Sequence, residues 1–507
     1  MMAAEKLSAV TLGALLAGYA EPPLPEIAVT GLALDSRKVV PGDAFFALPG
    51  TQGRHGLAHA AQAVSAGAVA VVWEPHETLP GIDVATLGVP SVAVDHLTRK
   101  LGHVAGRFFG DPSHALHCIG VTGTDGKTTV THWIAQLMGE SARPFGLLGT
   151  LGYGLPGQLQ PASHTTPDAV RLQEQLARLC DAGAVGVAME VSSHALHQHR
   201  VAGVHFDTAV LTHLSRDHLD YHGTQAAYAD AKRELFRVPG LRNAVLNHDD
   251  AFGQALLREL EAGVRPLLFT TRPEADPSAL AHDWLRAERI DTHARGLDIQ
   301  VASAWGRARL QTKLLGRFNA DNLLAAAAAA IAAGLSFEAA MQGIARVRPV
   351  PGRMEAFGTG RHPLVVVDYA HTPNALESVL RTLREHCDGE LICLFGAGGD
   401  RDTGKRALMG GAAERNADRV VVTSDNPRTE DPRAIIDGIL SGMRNPERAR
   451  VMPDRAEAIH RAVNDARVGD VVLVAGKGHE TWQEVGEERL PFSDREQVVQ
   501  ALKEGGA

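Results

Sequence analysis

Positive charge, cysteine, aromatic residues and long apolar runs are all scarce in this chain, and each shortage excludes something. The formal net charge is −9, with 50 Lys and Arg against 59 Asp and Glu, so no basic footprint argues for nucleic acid. An anionic small molecule is not excluded, because local arginines and glycine loops can bind one. No segment approaches the ~20 consecutive apolar residues that a membrane helix needs, so no membrane association is expected. The opening MMAAEKLSAVTLGALLAGYAEPPLP is partly apolar, but Glu5 precedes the apolar stretch and Glu21 with three prolines follows it. That pattern argues against a secretion signal and for a cytoplasmic location. The four cysteines, Cys118, Cys180, Cys387 and Cys393, are scattered without metal-ligand or disulfide-framework spacing. They read as buried structural thiols in a reducing compartment. Aromatics are 5% of the chain, yet 45% hydrophobic and 21% charged residues describe a globular protein rather than a disordered one. At 507 residues the chain exceeds one ordinary core, so two to four domains are expected.

What is present is an alternation of short apolar runs and helical patterns. Up to about residue 113, runs such as AFFAL, AVAVVW and PSVAV alternate with turn residues, and FFGDPSHAL reads as a linker. Beyond it strand-like and helix-like segments alternate as in βαβ units around a mainly parallel sheet. The alanine run in NADNLLAAAAAAIAAG favours helix, ending at Gly334. RVRPVPGRM marks a second boundary, after which PLVVVDYA, LICLFGAGG, RVVVTSDN and DVVLVAGKG each run from a strand into a chemically loaded loop. Ligands bind outside the carboxyl ends of strands in open α/β sheets, so these loops suggest a site.

HCIGVTGTDGKTTV places a buried strand before a glycine loop, then Lys127, Thr128, Thr129 and a helix. Backbone N–H groups and a helix N-terminus cradle phosphate in such a setting. Lys127 would reach the β- and γ-phosphates, and Thr128 would ligate Mg²⁺. A strict Walker A pattern would need glycine where Val121 stands, and a structural strand–helix turn with a chance Gly-Lys-Thr is the plain alternative.

T-G-T-x-G-K-T-T resembles the ATP loop of the Mur ligases and of the folylpolyglutamate synthetases. In the order of the Mur ligase family there follow, or precede, LDSRKVVPGDAFFA, HTTPD, EVSSHALHQHR, LSRDHLDYHGT, AYADAKRELF, GRFNADNLLAA, PGRME, DYAHTPNALE, GAGGDRDTGKR, SDNPR and AGKGHE. The resemblance covers about residues 31 to 495. It implies an α/β fold of three domains, with a central P-loop-type ATPase domain built on a mainly parallel sheet and a C-terminal Rossmann-like domain. The boundaries drawn above give 1–113 for UDP-substrate binding, 114–347 for ATP and 348–507 for the amino acid. The pattern resembles members that add meso-diaminopimelate to UDP-MurNAc-L-Ala-D-Glu during peptidoglycan precursor synthesis, with ATP and Mg²⁺. The implied partners are these small molecules, and a monomer is expected. Asp125 stands where many members have asparagine, which puts an extra negative charge beside the phosphates.

In the implied reaction the D-Glu carboxylate takes the γ-phosphoryl group of ATP, and an amine of diaminopimelate attacks the acyl phosphate. The ATP site would comprise Gly123, Thr124, Asp125, Gly126, Lys127, Thr128 and Thr129, with Asn319, Asp368 and His371, beside Tyr369, bordering the adenosine. Glu190 ends the strand GVAMEV and His218 follows the strand FDTAVLTHL, so both fall at strand carboxyl ends. Mg²⁺ prefers oxygen ligands, which suits Glu190 and Thr128 better than His218; the resemblance is what brings His218 in. Read from its own segment, Lys232 is a lysine on a solvated helix face; the resemblance implies a carbamylated lysine that can hold a second Mg²⁺. The resemblance also assigns Ser36, Thr165, Thr166, Ser192, Gln198 and Arg200 to the UDP-linked substrate, although Thr165-Thr166-Pro167-Asp168 would also serve as a helix cap.

Arg401, Asp425-Asn426-Pro427-Arg428, Gly476 and Glu480 fall after three successive strands and are assigned to diaminopimelate. Arg428 can bind the far carboxylate and Glu480 the far ammonium. A turn with Asp431 capping the next helix explains the proline there but not the arginine. A folylpolyglutamate synthetase would lack the N-terminal domain and the Asp425–Arg428 motif, and a nucleotide switch would leave the C-terminal loops without a purpose.

Overall fold

The computed structural model describes residues 10–50, 54–77, 79, 81–162, 164–275, 282–293, 296–358 and 360–505; Glu5 and its neighbours lie outside the described residues. Among the described residues, no helix is long and apolar enough to cross a membrane. The chain divides into two compact units, Met1–Phe269 with Ala325–Ser336, and Thr270–Leu324 with Phe337–Ala507.

The first unit opens with a parallel sheet in the order Gly31–Ala33, Asp43–Ala47, Ala70–Trp73, Ser91–Ala93. Successive strand residues face opposite ways. Phe45 therefore packs with Leu57, Ala60 and Val71, while Phe46 packs with Leu12, Leu101 and Val104. A larger sheet follows in the order Arg265–Thr270, Asn243–Asn247, Thr208–Leu211, His117–Thr122, Gly186–Glu190, Phe145–Gly149, all parallel, with Gly152–Gly154 antiparallel at its edge. Unbroken apolar runs are what a parallel sheet covered on both faces demands. Gly186–Glu190, Thr208–Leu211 and Asn243–Asn247 are indeed buried throughout. The His117–Thr122 strand lies between Gly186–Glu190 and Thr208–Leu211, so the loops leaving these three strands meet at one sheet edge.

The second unit contains an antiparallel meander, Asp283–His293, Gly296–Ser303 and Gly306–Thr312, which the sequence reading left unassigned. Its signal is the alternation of buried Leu297, Ile299 and Val301. A six-stranded sheet follows in the order Glu355–Phe357, Leu364–Asp368, Val471–Ala475, Leu391–Phe395, Arg419–Val422, Arg450–Val451, parallel except for the first pair. Val366, Cys393, Phe395 and Leu473 pack on one face in a cluster shared with Leu380, Met409 and Ile436. Val365, Val367, Ile392 and Leu394 pack on the other with Ile459, Val463 and Val498. This α/β architecture is the expected one. The alanine run forms the helix Phe318–Ala332, and Gly334 has φ +94°. All four cysteines are free thiols; Cys118 and Cys393 are buried, as expected, whereas Cys180 and Cys387 are only half-buried.

Arg455 is fully buried beneath the sheet's carboxyl edge. Its Nε and Nη2 donate to the two Asp494 oxygens at 2.7 Å each, Nη1 to Ser424 O at 3.2 Å and Nη2 to Ala475 O at 2.9 Å. This pair holds the ends of two strands whose loops carry the C-terminal site. Removing one partner leaves a buried charge uncompensated, at a cost of ~3–5 kcal/mol. Asp494→Ala is therefore expected to lower the thermal midpoint strongly, read by calorimetry; a variant as stable as the parent would show that Arg455 finds other compensation.

Candidate active site

The glycine loop between the His117–Thr122 strand and the Lys127–Glu140 helix is held by contacts that only glycine allows. Gly123 has φ +149° and Gly126 φ +82°, and a Cβ at Gly123 would collide with Thr212 Oγ1. Thr212 Oγ1 in turn donates to Asp125 O at 2.6 Å. Lys127 Nζ folds back over the loop, donating to Gly123 O at 2.9 Å and Thr124 O at 2.8 Å. The Asp125 side chain is 80% exposed, with His213 Nε2 3.5 Å away, so its extra charge faces solvent.

Glu190, only 2% exposed, gathers the neighbouring elements. Oε2 accepts from Thr128 Oγ1 at 2.9 Å and from Thr150 Oγ1 at 3.3 Å, while Oε1 accepts from Thr150 N at 2.7 Å. Thr150 Oγ1 lies 3.1 Å from Thr165 Oγ1, and Thr166 Oγ1 donates to Glu190 O at 2.8 Å. Ser192 N donates to Thr166 Oγ1 at 3.1 Å, Arg200 Nη1 to Thr166 O at 3.1 Å, and Arg200 Nε to Gln198 Oε1 at 2.9 Å. Thr128, Glu190, Thr165, Thr166, Ser192, Gln198 and Arg200 thus form one connected polar cluster. The helix Ala169–Asp181 is capped by Asp168, not by either threonine, which leaves those hydroxyls for the cluster.

Lys232 corrects the reading of a solvated helix face: it is 1% exposed. Its Nζ donates to Gly123 O at 2.7 Å and sits 4.4 Å from the centre of the Tyr228 ring. Burial, and after it the Lys127 charge, push its pKa well below the ordinary lysine value. Tyr228 OH is 3.1 Å from Thr124 Oγ1, and burial raises its pKa to about 12. His218, at φ +51°, stands edge-on to His194 with ring centres 4.9 Å apart. Its Nε2 is 3.4 Å from Asp217 Oδ2. Thr128 and Glu190 offer the oxygens that Mg²⁺ prefers, an ion that commonly completes its shell with water and substrate phosphate. Among the described residues, no group of three or more His, Cys, Asp or Glu could hold a metal ion.

Ser36 stands apart, in a short 3₁₀ turn of the N-terminal sheet, with Oγ donating to Gln62 Oε1 at 2.9 Å. In the second unit Asn319 Nδ2 donates to Leu315 O at 2.7 Å. Asp368 is tied to the backbone, Oδ2 accepting from Met354 N and Oδ1 from Ala370 N, each at 2.8 Å. Burial raises the pKa of Asp368 and lowers that of His371. His371 Nδ1 lies 2.8 Å from Tyr369 O. These contacts make Asp368 a turn-fixing carboxylate.

The Asp425–Arg428 loop is the most densely bonded part of that unit. Asn426 Nδ2 donates to Glu480 Oε2 at 2.9 Å, and Arg428, at φ +51°, donates from Nε to Glu484 Oε2 at 2.8 Å and from Nη1 to Gly399 O at 2.7 Å. Gly399 N donates to Asn426 O at 2.9 Å, and a Cβ at Gly399 would strike Pro427 O. A Cβ at Gly476 would likewise strike Asp425 Oδ2. Asp431 caps the following helix, Pro432–Leu440, so the turn and the arginine are both present. Arg401 stands exposed on the adjoining loop.

Three family models match in chain order: the Mur ligase family catalytic domain over residues 28–109, the Mur ligase middle domain over 121–330, and the Mur ligase glutamate ligase domain over 352–478. The chain is 53% identical over 483 residues to the UDP-N-acetylmuramoyl-L-alanyl-D-glutamate--2,6-diaminopimelate ligase of Alkalilimnicola ehrlichii, covering 94% of this chain and 95% of that protein. It belongs to the Mur ligase family. The Pseudomonas aeruginosa protein of the same name is 47% identical, over 94% of this chain and 96% of its own. A solved structure with that enzyme name superposes with TM-score 0.72 at 36% identity, covering 99% of this chain and 100% of its own. A Mycobacterium tuberculosis folylpolyglutamate synthase complexed with ADP and AMPPCP shares the fold, with TM-score 0.59 at 22% identity, over 75% of this chain.

Sequence reasoning missed Thr150, Thr212 and Tyr228 in this Mur ligase. Thr150 and Thr212 directly follow strand ends, a position that alone could have flagged them. Lys232 makes a pH-dependent prediction. Its folded-state pKa is depressed, so between that value and the unfolded value near 10.5 the unfolded chain binds more protons and stability rises with pH. Lys232→Met removes the penalty of burying the amine. Its thermal midpoint relative to the parent is expected to be highest at neutral pH and to fall as pH approaches 10; a pH-independent difference would contradict a depressed pKa.

Proposed function

We propose that this Mur ligase joins meso-diaminopimelate to the D-Glu carboxylate of UDP-MurNAc-L-Ala-D-Glu, converting ATP to ADP and phosphate, in peptidoglycan precursor synthesis. The observation that carries the reading is the loop edge on which Arg428 and Glu480 offer opposite charges, in a chain whose relatives at 44–53% identity are named for that ligation. We further assign the UDP-linked substrate to residues 1–113, ATP to 114–347 and the amino acid to 348–507, in a cytoplasmic monomer.

A carboxylate resists attack by an amine because its oxygen leaves badly, and phosphorylation provides the leaving group. Phosphoryl transfer is mainly positioning and charge neutralisation. The loop from Gly123 to Thr129 cradles the phosphates, and Lys127, now on loop carbonyls, supplies a cation to them. Bound Mg²⁺ would neutralise phosphate charge, held by Thr128, Glu190 and His218, with a carbamate on Lys232 for a second ion. The depressed pKa of Lys232 favours the free amine, the form that adds carbon dioxide. Ser36, Thr165, Thr166, Ser192, Gln198 and Arg200 serve the UDP-linked substrate, and Asn319, Asp368 and His371 border the adenosine. Arg401, Asp425, Asn426, Pro427, Arg428, Gly476 and Glu480 hold diaminopimelate, Arg428 on the far carboxylate and Glu480 on the far ammonium.

Phosphate release and tripeptide mass, measured with ATP, Mg²⁺ and UDP-MurNAc-L-Ala-D-Glu, are expected to require meso-diaminopimelate and not to respond to L-lysine. A lysine product would remove the specificity assignment, and release indifferent to any amino acid would favour a nucleotide switch. Arg428→Ala should lower kcat/KM for diaminopimelate by on the order of 10²-fold. Asp125→Asn should leave KM for ATP within about threefold, because an exposed charge is largely screened; a tenfold change would place Asp125 in direct phosphate contact.

A further inference from the structure

Lys477 is 0% exposed, and no role has been given to it above. It lies in the loop after the Val471–Ala475 strand. Its Nζ donates to Asn426 Oδ1 and to Glu480 Oε2, each at 2.9 Å. Asn426 Nδ2 donates to the same Glu480 oxygen at 2.9 Å, so lysine, amide and carboxylate close a ring of three hydrogen bonds. Asn426 Oδ1 also accepts from Glu484 N at 3.0 Å, which anchors the ring to the backbone. Both internal bonds to Glu480 fall on Oε2, and the Glu480 side chain keeps 18% exposure. Oε1 is thereby turned outward with no hydrogen bond among the described residues.

A buried ammonium is costly unless paired and hydrogen-bonded. Lys477 meets that condition through the two groups it orients, so its burial is coupled to their geometry. We propose that Lys477 is a positioning residue for amine recognition: it locks Glu480 and Asn426 so that Glu480 Oε1 faces the far ammonium of the diamino acid. It touches no substrate itself. The proposal rests on the diaminopimelate reading above and deepens it. Glu480 left to itself could rotate, and the site would then lose discrimination for the ammonium while keeping Arg428 for the carboxylate.

The test compares meso-diaminopimelate with L-2-aminopimelate, which keeps the attacking amine and the far carboxylate but lacks the far ammonium. Wild-type enzyme is assayed first; if it makes no tripeptide with diaminopimelate, the functional reading fails, independently of Lys477. In Lys477→Met, kcat/KM for diaminopimelate is expected to fall about 30-fold or more, mostly through KM, and the preference over 2-aminopimelate to shrink at least about tenfold. Positional isotope exchange in ATP with the UDP-linked substrate alone, which needs no amino acid, should stay within about threefold. Lys477→Gln, which keeps N–H donors but loses the charge, should fall between the parent and Lys477→Met. Equal losses on both amino acids, or no loss, would overturn the proposal. Failure of both variants to fold at the assay temperature would overturn it too, by making Lys477 a residue of stability alone.

Discussion

Two lysine nitrogens meet at one carbonyl oxygen, Gly123 O, with Lys127 at 2.9 Å and Lys232 at 2.7 Å. Much of the first unit's site follows from that meeting. Gly123 adopts φ +149°, and the space a side chain would need is already taken by Thr212. Thr212 ends the strand beside the loop strand, so sheet order determines which residue must be glycine. Lys232 reaches the same oxygen from the helix Gln225–Arg233, with Tyr228 of that helix closing over it. Like charges this close would repel, and the structure resolves the conflict by burying one of them until its proton is weakly held. In the proposed ligase this leaves Lys127 as the cation that turns to phosphate and Lys232 as a buried, weakly basic amine.

The second unit solves a different problem, placing several charged side chains in buried and partly buried positions. Each has an internal counter-charge: Arg455 with Asp494, Lys477 with Glu480, Arg428 with Glu484. Glu484 is itself shared, since Arg489 Nε donates to its Oε1 at 3.0 Å. Ion pairs taken out of water add little net stability because desolvation offsets attraction. Their contribution here is orientation: side chains joined by two or three charged bonds have few rotamers left.

Much of this was legible in the residues. Strand, glycine loop and helix around Lys127 follow from apolar run, punctuation and propensity, and the parallel sheets follow from unbroken β-branched runs. The placement of Glu190 at a strand end was readable as well. Contacts between segments distant in the chain were not. AYADAKRELF has the composition of an exposed helix, and only the three-dimensional approach of Gly123, 109 positions away, makes Lys232 a buried group. Thr166 could have been a cap until Asp168 was seen to take that place. The meander over Asp283–Thr312 carries its alternation plainly, but turn residues and charges interrupt it.

The surroundings of Arg428 limit how strongly it could discriminate. A fully buried arginine left unpaired by a lysine substrate would cost ~10⁴–10⁵ in rate. Arg428 is instead 23% exposed and already bonded to Glu484 and Gly399 O. Without a far carboxylate it stays partly satisfied and partly hydrated, so the penalty falls to on the order of 10²–10³. In the proposed site, lysine would keep the ammonium assigned to Glu480, so its rejection would rest on Arg428, and rejection of amino acids lacking the far ammonium would rest on Glu480. Each of these charges already has an internal partner, Glu484 and Lys477, so neither is left unpaired when the site is empty.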